Sequence, residues 1–105
     1  MIRAEFFKKG DMPVGFRISG HSGTSEAGTD IVCAAVSSAA YLTANTVTDV
    51  MNVPAQASVE EGAMFFQVPE KDTAVCSVLL RGFRLHMMAL QQQYPENIKL
   101  TDPEV

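Results

Sequence analysis

Positions 31–50 read IVCAAVSSAAYLTANTVTDV, and the spacing of Ile31, Ala35, Ala39 and Leu42 predicts a helix over the whole stretch. Asp30 precedes it and is placed to act as the N-cap. A long helix at this position fixes the class of the fold, because everything before it is patterned differently. Positions 2–8 form a short apolar and aromatic run ending at Gly10-Asp11. Val14, Phe16 and Ile18 then alternate with Gly15, Arg17 and Ser19. Two strands paired as a hairpin follow from that alternation.

On the other side of the helix the pattern repeats in kind. Positions 55–59 and 63–68 are apolar runs separated by Glu60-Glu61-Gly62, which predicts a second hairpin, ended by Pro69. Asp72 is placed to cap a second helix reaching about Tyr94, with Val75, Leu79, Phe83, Met87 and Leu90 as its apolar stripe. Positions 98–100 predict a last strand. The order ββαββαβ implies an α+β domain, with a mixed or antiparallel sheet of four to five strands carrying two helices. The chain has 105 residues, so positions 1–105 are expected to form one domain with one core.

Charge narrows the functional classes. Twelve acidic residues stand against eight basic ones, and no basic run exceeds Lys8-Lys9, so direct nucleic-acid binding is not expected. The acidic balance suits a basic peptide partner. No stretch reads as a signal peptide or as a membrane-spanning run, so no membrane partner is expected. Cys33 and Cys76 belong to no CxxC pair, which argues against a disulfide framework and fits a reducing cytoplasm.

Between the second strand and the first helix lies GHSGTSEAGTD, positions 20–30, where Gly20, Gly23, Gly28 and small polar residues predict a flexible loop. An N-cap at Asp30 puts Cys33 in the first helical turn, where unpaired N–H groups and the positive end of the helix dipole favour a thiolate. His21 sits at the strand end of the loop, from which a base can fold back over Cys33. The N–H groups of that turn are candidates for an oxyanion hole. Asp30 is open between capping the helix and orienting the imidazole. Ser37 lies one turn beyond Cys33 on the same face, placed to contact substrate or to fix the reacting groups.

Other readings of these residues are plainer. A lone cysteine in an Ala-rich helix, as Cys33 is, is often a small buried hydrophobe, and Cys76, beside Val75 and Val78 on the second helix, is expected to pack. The glycine loop lacks the GxxxxGK[ST] pattern of a phosphate cradle. His21, Cys33, Cys76 and His86 have no short ligand spacing, so no metal or other cofactor is expected. His86 reads as a surface histidine.

The stretch GHSGTSEAGTDIVCAAVSS resembles the ribosomal-processing cysteine proteases called Prp, through Gly20-His21, Gly28, Asp30, Cys33-Ala34-Ala35 and Ser37. Leu79-Leu80, Gly82-Phe83 and Tyr94-Pro95 extend the likeness over most of the chain. Ser22 stands where many relatives have alanine, and His86 where small residues are common. The resemblance implies a catalytic dyad of His21 and Cys33, with Asp30 and Ser37 in support and the loop as a mobile cover. It also implies the substrate, the N-terminal extension of large-subunit ribosomal protein twenty-seven, and a homodimer. A noncatalytic ribosome-assembly module that binds the same extension is the alternative, and a thiol-dependent acyl transferase is a third reading.

Overall fold

In a computed structural model of the chain, residues 1–20 and 27–105 are described, with side chains for 1–20 and 31–105. Strands β1 (Ile2–Lys9) and β2 (Met12–Gly20) form the first hairpin, followed by helix α1 (Ala27–Asn45). Strands β3 (Gln56–Glu60) and β4 (Ala63–Gln67) form the second, followed by helix α2 (Thr73–Gln93) and strand β5 (Ile98–Thr101). The sheet order is β3-β4-β2-β1-β5, antiparallel except for the parallel pair β1–β5. This is the expected α+β arrangement, with five strands.

Alternation along each strand decides which face is buried. Ile2, Ala4 and Phe6 of β1, Phe16 of β2, Met64 and Phe66 of β4 and Ile98 of β5 form one core with Val32, Val36 and Ala40 of α1 and Leu80, Phe83 and Met87 of α2. Its centre is aromatic: Phe16 stacks on Phe66 at 5.2 Å and meets the edge of Phe83 at 4.8 Å. Truncating a ring buried this completely costs about 3–5 kcal/mol. By length and hydropathy two segments, Ile31–Val50 and Glu70–Gln93, are long and apolar enough to cross a bilayer, which the sequence reading did not anticipate. In this fold both set an apolar stripe against the sheet.

Two helix starts differ from expectation. The first helix begins at Ala27, so Asp30 lies inside it and is not its N-cap. Asp72 does hold the N-cap position of α2, yet its side chain makes no capping bond. A 3-10 turn over Glu70–Asp72 leads directly into the helix, and the Thr73 hydroxyl donates to the Glu70 carbonyl oxygen at 3.0 Å. The far end of α1 passes into a π-helical turn over Thr46–Val50, where Thr46 and Thr48 hydroxyls donate to carbonyl oxygens four residues back.

The C-terminus is fastened to the tip of the first hairpin. Arg84 donates two bonds to Asp102, at 2.6 and 2.7 Å, and the Gly10 N–H donates to Glu104 Oε2 at 2.8 Å. The Val105 N–H donates to the Lys8 carbonyl, and the Lys8 N–H to that of Pro103.

Candidate active site

Seen from the helix, the site begins with the series Cys33, Ser37, Tyr41, spaced one turn apart and therefore stacked along one flank of α1. That flank lies at the margin of the core, with Cys33 packed against its edge. Val32, Val36 and Ala40 take the buried positions, leaving Cys33 half-buried and Ser37 and Tyr41 exposed. Across from them stand the end of β2 and the β3–β4 hairpin. A groove of about 230 Å³ runs between, lined by Cys33, Ser37, Ala40 and Tyr41 on one side and by Ile18, Gly20, Val59, Glu60, Gly62 and Met64 on the other.

The strand that delivers Gly20 is held firmly. Gly20 pairs with Ile2, its N–H donates to the Gly62 carbonyl at 2.9 Å, and its φ of 86° lies in the left-handed region. A side chain there would run into the Met1 carbonyl oxygen, so only glycine fits. Gly20 is therefore the last residue of β2 and not part of a flexible loop, and Gly28 is helical within α1. Of the expected loop over positions 20–30, His21 and Gly23 lie outside the described residues, as does the side chain of Asp30. His21 is nonetheless covalently bonded to Gly20, a residue of the groove.

The start of α1 at Ala27 also changes the electrostatic reading of Cys33. Orphan N–H groups belong to the first turn of a helix, and Cys33, the seventh residue, lies in the second. The dipole effect falls off over that distance, so the helix end supplies neither a strong thiolate field nor an oxyanion hole at the Cys33 turn itself.

The second cysteine has a different setting. Cys76 is completely buried in α2, and burial, reinforced by the charge of Asp72 one turn earlier, pushes its thiol pKa up. It packs in the core, as expected. His86 is exposed beside an apolar groove between α1 and α2 that also takes in Leu42, Val78 and Gly82. Among the described residues no three of His, Cys, Asp and Glu converge as metal ligands.

Sequence reasoning missed Tyr41 and the β3–β4 wall. Tyr41 was within reach, since it continues the four-residue spacing from Cys33 and Ser37. Val59 and Gly62 were not, because only the pairing of β4 with β2 brings their hairpin opposite Cys33.

The sequence model of a family described as "Cysteine protease Prp" matches residues 1–99. No curated protein matches the chain. Among solved structures, a Streptococcus mutans protein is similar at a TM-score of 0.88 and 22% identity, covering 100% of this chain and 99% of that one. The essential ribosomal processing protease Prp from Staphylococcus aureus, in complex with a substrate peptide, is similar at a TM-score of 0.86 and 18% identity, covering 98% and 100%. The same enzyme with a covalently linked product peptide gives 0.86 and 19%, with the same coverage.

Proposed function

Because this chain belongs to the Prp family of cysteine proteases, we propose that it removes the N-terminal extension of large-subunit ribosomal protein twenty-seven, using Cys33 as nucleophile and His21 as base. The observation that carries the reading is the position of Cys33 in an open groove whose opposite wall ends at Gly20, the residue bonded to His21. In this reading His21, the next residue in the chain, is the ion-pair partner that activates Cys33 in place of the helix end.

Cys33 Sγ, as thiolate, attacks the scissile carbonyl carbon, and the imidazolium of His21 gives its proton to the leaving amine. The peptide C–N bond breaks and a thioester remains. Water, deprotonated by the now neutral His21, hydrolyses the thioester and restores the thiolate. Ser37 is assigned to substrate contact or to holding the reacting groups, and Asp30 to orienting His21, since it does not begin the helix.

The same reading places the enzyme in the cytoplasm as a homodimer. The exposed apolar groove between α1 and α2, with Leu42 and Val78, supports a second copy as partner, because isolated domains rarely expose such patches without use. Val78→Glu is expected to shift sedimentation toward monomer.

The deciding experiment mixes the purified ribosomal protein with about one hundredth of its amount of enzyme and weighs the products by mass spectrometry. A catalyst converts the whole population at that ratio. Cys33→Ala and His21→Ala are expected to leave it uncut. A ratio-limited effect would favour the noncatalytic binding module, and turnover surviving Cys33→Ala would overturn Cys33 as the nucleophile.

A further inference from the structure

Strand β3 lies at the end of the sheet order and, among the described residues, pairs only with β4. The ladder tells which of its main-chain groups are spent. The Gly20 N–H donates to the Gly62 carbonyl and the Val68 N–H to that of Val14, so the hydrogen-bonded pairs of β2 with β4 fall on Ile18–Met64 and Phe16–Phe66 as well. Met64 and Phe66 therefore turn their backbone toward β2, and Phe65 turns toward β3. Its partner Ser58 answers it. Ala57 and Val59 are left with N–H and C=O groups directed off the sheet.

Natural proteins protect such edges with lysine, proline or a bulge. The sequence Gln56–Glu60 contains neither residue, its register with β4 is unbroken, and all five residues are exposed. This edge is also continuous with the groove. Ala57 and Val59 pair with Phe66 and Met64, which places their side chains on the helix-covered face, and Val59 and Glu60 line the groove with Cys33.

We propose that the free edge of β3 holds the substrate as a sixth strand, a proposal that rests on the protease reading above. An extended peptide bonded to the backbone of Ala57 and Val59 lies one strand spacing, about 4.8 Å, beyond β3. It leaves the edge at Glu60 and enters the groove beside Cys33. Main-chain bonds would supply affinity, and alternate side chains directed past Val59 toward α1 would supply selection. The occupant is an extended peptide backbone, since only that offers donors and acceptors at the repeat that Ala57 and Val59 present.

The test uses the intact chain and a synthetic peptide spanning the N-terminal extension and cleavage site, N-methylated at one amide at a time. On one side of the scissile bond, methylation at every second amide should lower kcat/KM about tenfold, with the intervening positions nearly unchanged. Ala57→Pro removes an outward N–H without touching the β3–β4 ladder and should cost about as much, while alkylation of Cys33 by iodoacetamide keeps its rate. A flat methylation scan overturns the proposal whatever the variant does, and cleavage of the unmodified peptide then leaves the protease reading standing. An alternating scan with Ala57→Pro unchanged puts the peptide on another edge and also overturns it. Loss of a dimer in Ala57→Pro would make a second copy the occupant, again overturning it. If Ala57→Pro fails to fold, Val59→Pro, which removes the other outward N–H, takes its place beside the scan. If the chain cuts nothing, the scan is read as affinity of labelled peptide for Cys33→Ala by fluorescence anisotropy. An alternating pattern then supports the edge while the protease reading fails, and a flat one overturns both.

Discussion

Asp72 stands one helical turn before Cys76, and the two are coupled: burial of the thiol and the nearby carboxylate both hold Cys76 protonated. The carboxylate itself keeps a buried oxygen, Oδ2, without a hydrogen-bond partner among the described residues. Such a thiol is inert, because the thiolate is the reactive form. Cys33, by contrast, is half-buried and lines an open groove.

Brief iodoacetamide treatment near neutral pH should therefore label Cys33 at least about tenfold faster than Cys76. Peptide mapping measures the ratio directly. Equal labelling would mean that Cys33 is shielded or that the core around Cys76 opens readily.

Tyr41 completes the Cys33 flank of the groove and is exposed there. An aromatic wall that contacts substrate in ground and transition states alike adds uniform binding. Tyr41→Ala should raise KM about tenfold and change kcat less than about twofold. Steady-state kinetics on a short peptide separates the two, and a fall confined to kcat would place Tyr41 at the reacting atoms instead.

The bidentate pair of Arg84 with Asp102 fastens the C-terminal segment. Its bond to Arg84 holds the Asp102 pKa below the ordinary carboxylate value. The sign follows from linkage: a depressed carboxylate pKa gives stability that is complete above the unfolded-state pKa and fades as pH falls through the folded one. Both side chains are about one-third exposed, so solvent screening limits the contribution to roughly 1 kcal/mol. Asp102→Asn should lower Tm by about 5 °C at neutral pH. The gap should narrow as pH falls below the ordinary carboxylate range, and a gap independent of pH would assign the effect to shape and not to charge.

Gly15 pairs with Gln67 across the β2–β4 ladder, and a Cβ there would strike the carbonyl oxygen of the neighbouring Phe66. Neither backbone can yield without breaking the central pairing of the sheet. Gly15→Ala should destabilise the fold by about 2–3 kcal/mol, readable as a lower urea midpoint with little change in slope. A midpoint shift under about 0.5 kcal/mol would show that the ladder can open at this point.

The two hairpins, the two helices and the last strand are legible in the sequence because each rests on local periodicity: Phe16 and Ile18 two apart, Phe83 and Met87 four apart. The pairing of Cys33 with Ser37 is local in the same way, since both ride on one helix. The start of α1 was misread because Asp30 is a good capping residue, and capping chemistry cannot tell whether Ala27, Gly28 and Thr29 are already helical ahead of it.

What only the tertiary structure decided is everything that depends on which strands meet. Pairing of β2 with β4, and of β1 in parallel with β5, joins segments far apart in the chain, and no spacing within a segment encodes it. That pairing sets Val59, Glu60 and Gly62 opposite Cys33 and leaves the backbone of Ala57 and Val59 unmatched at the edge. It also sets the different surroundings of the two cysteines. Cys76 falls on the stripe that α2 packs against the core, whereas Cys33 falls on the flank of α1 turned toward the groove, because a helix buries only the side that finds a partner.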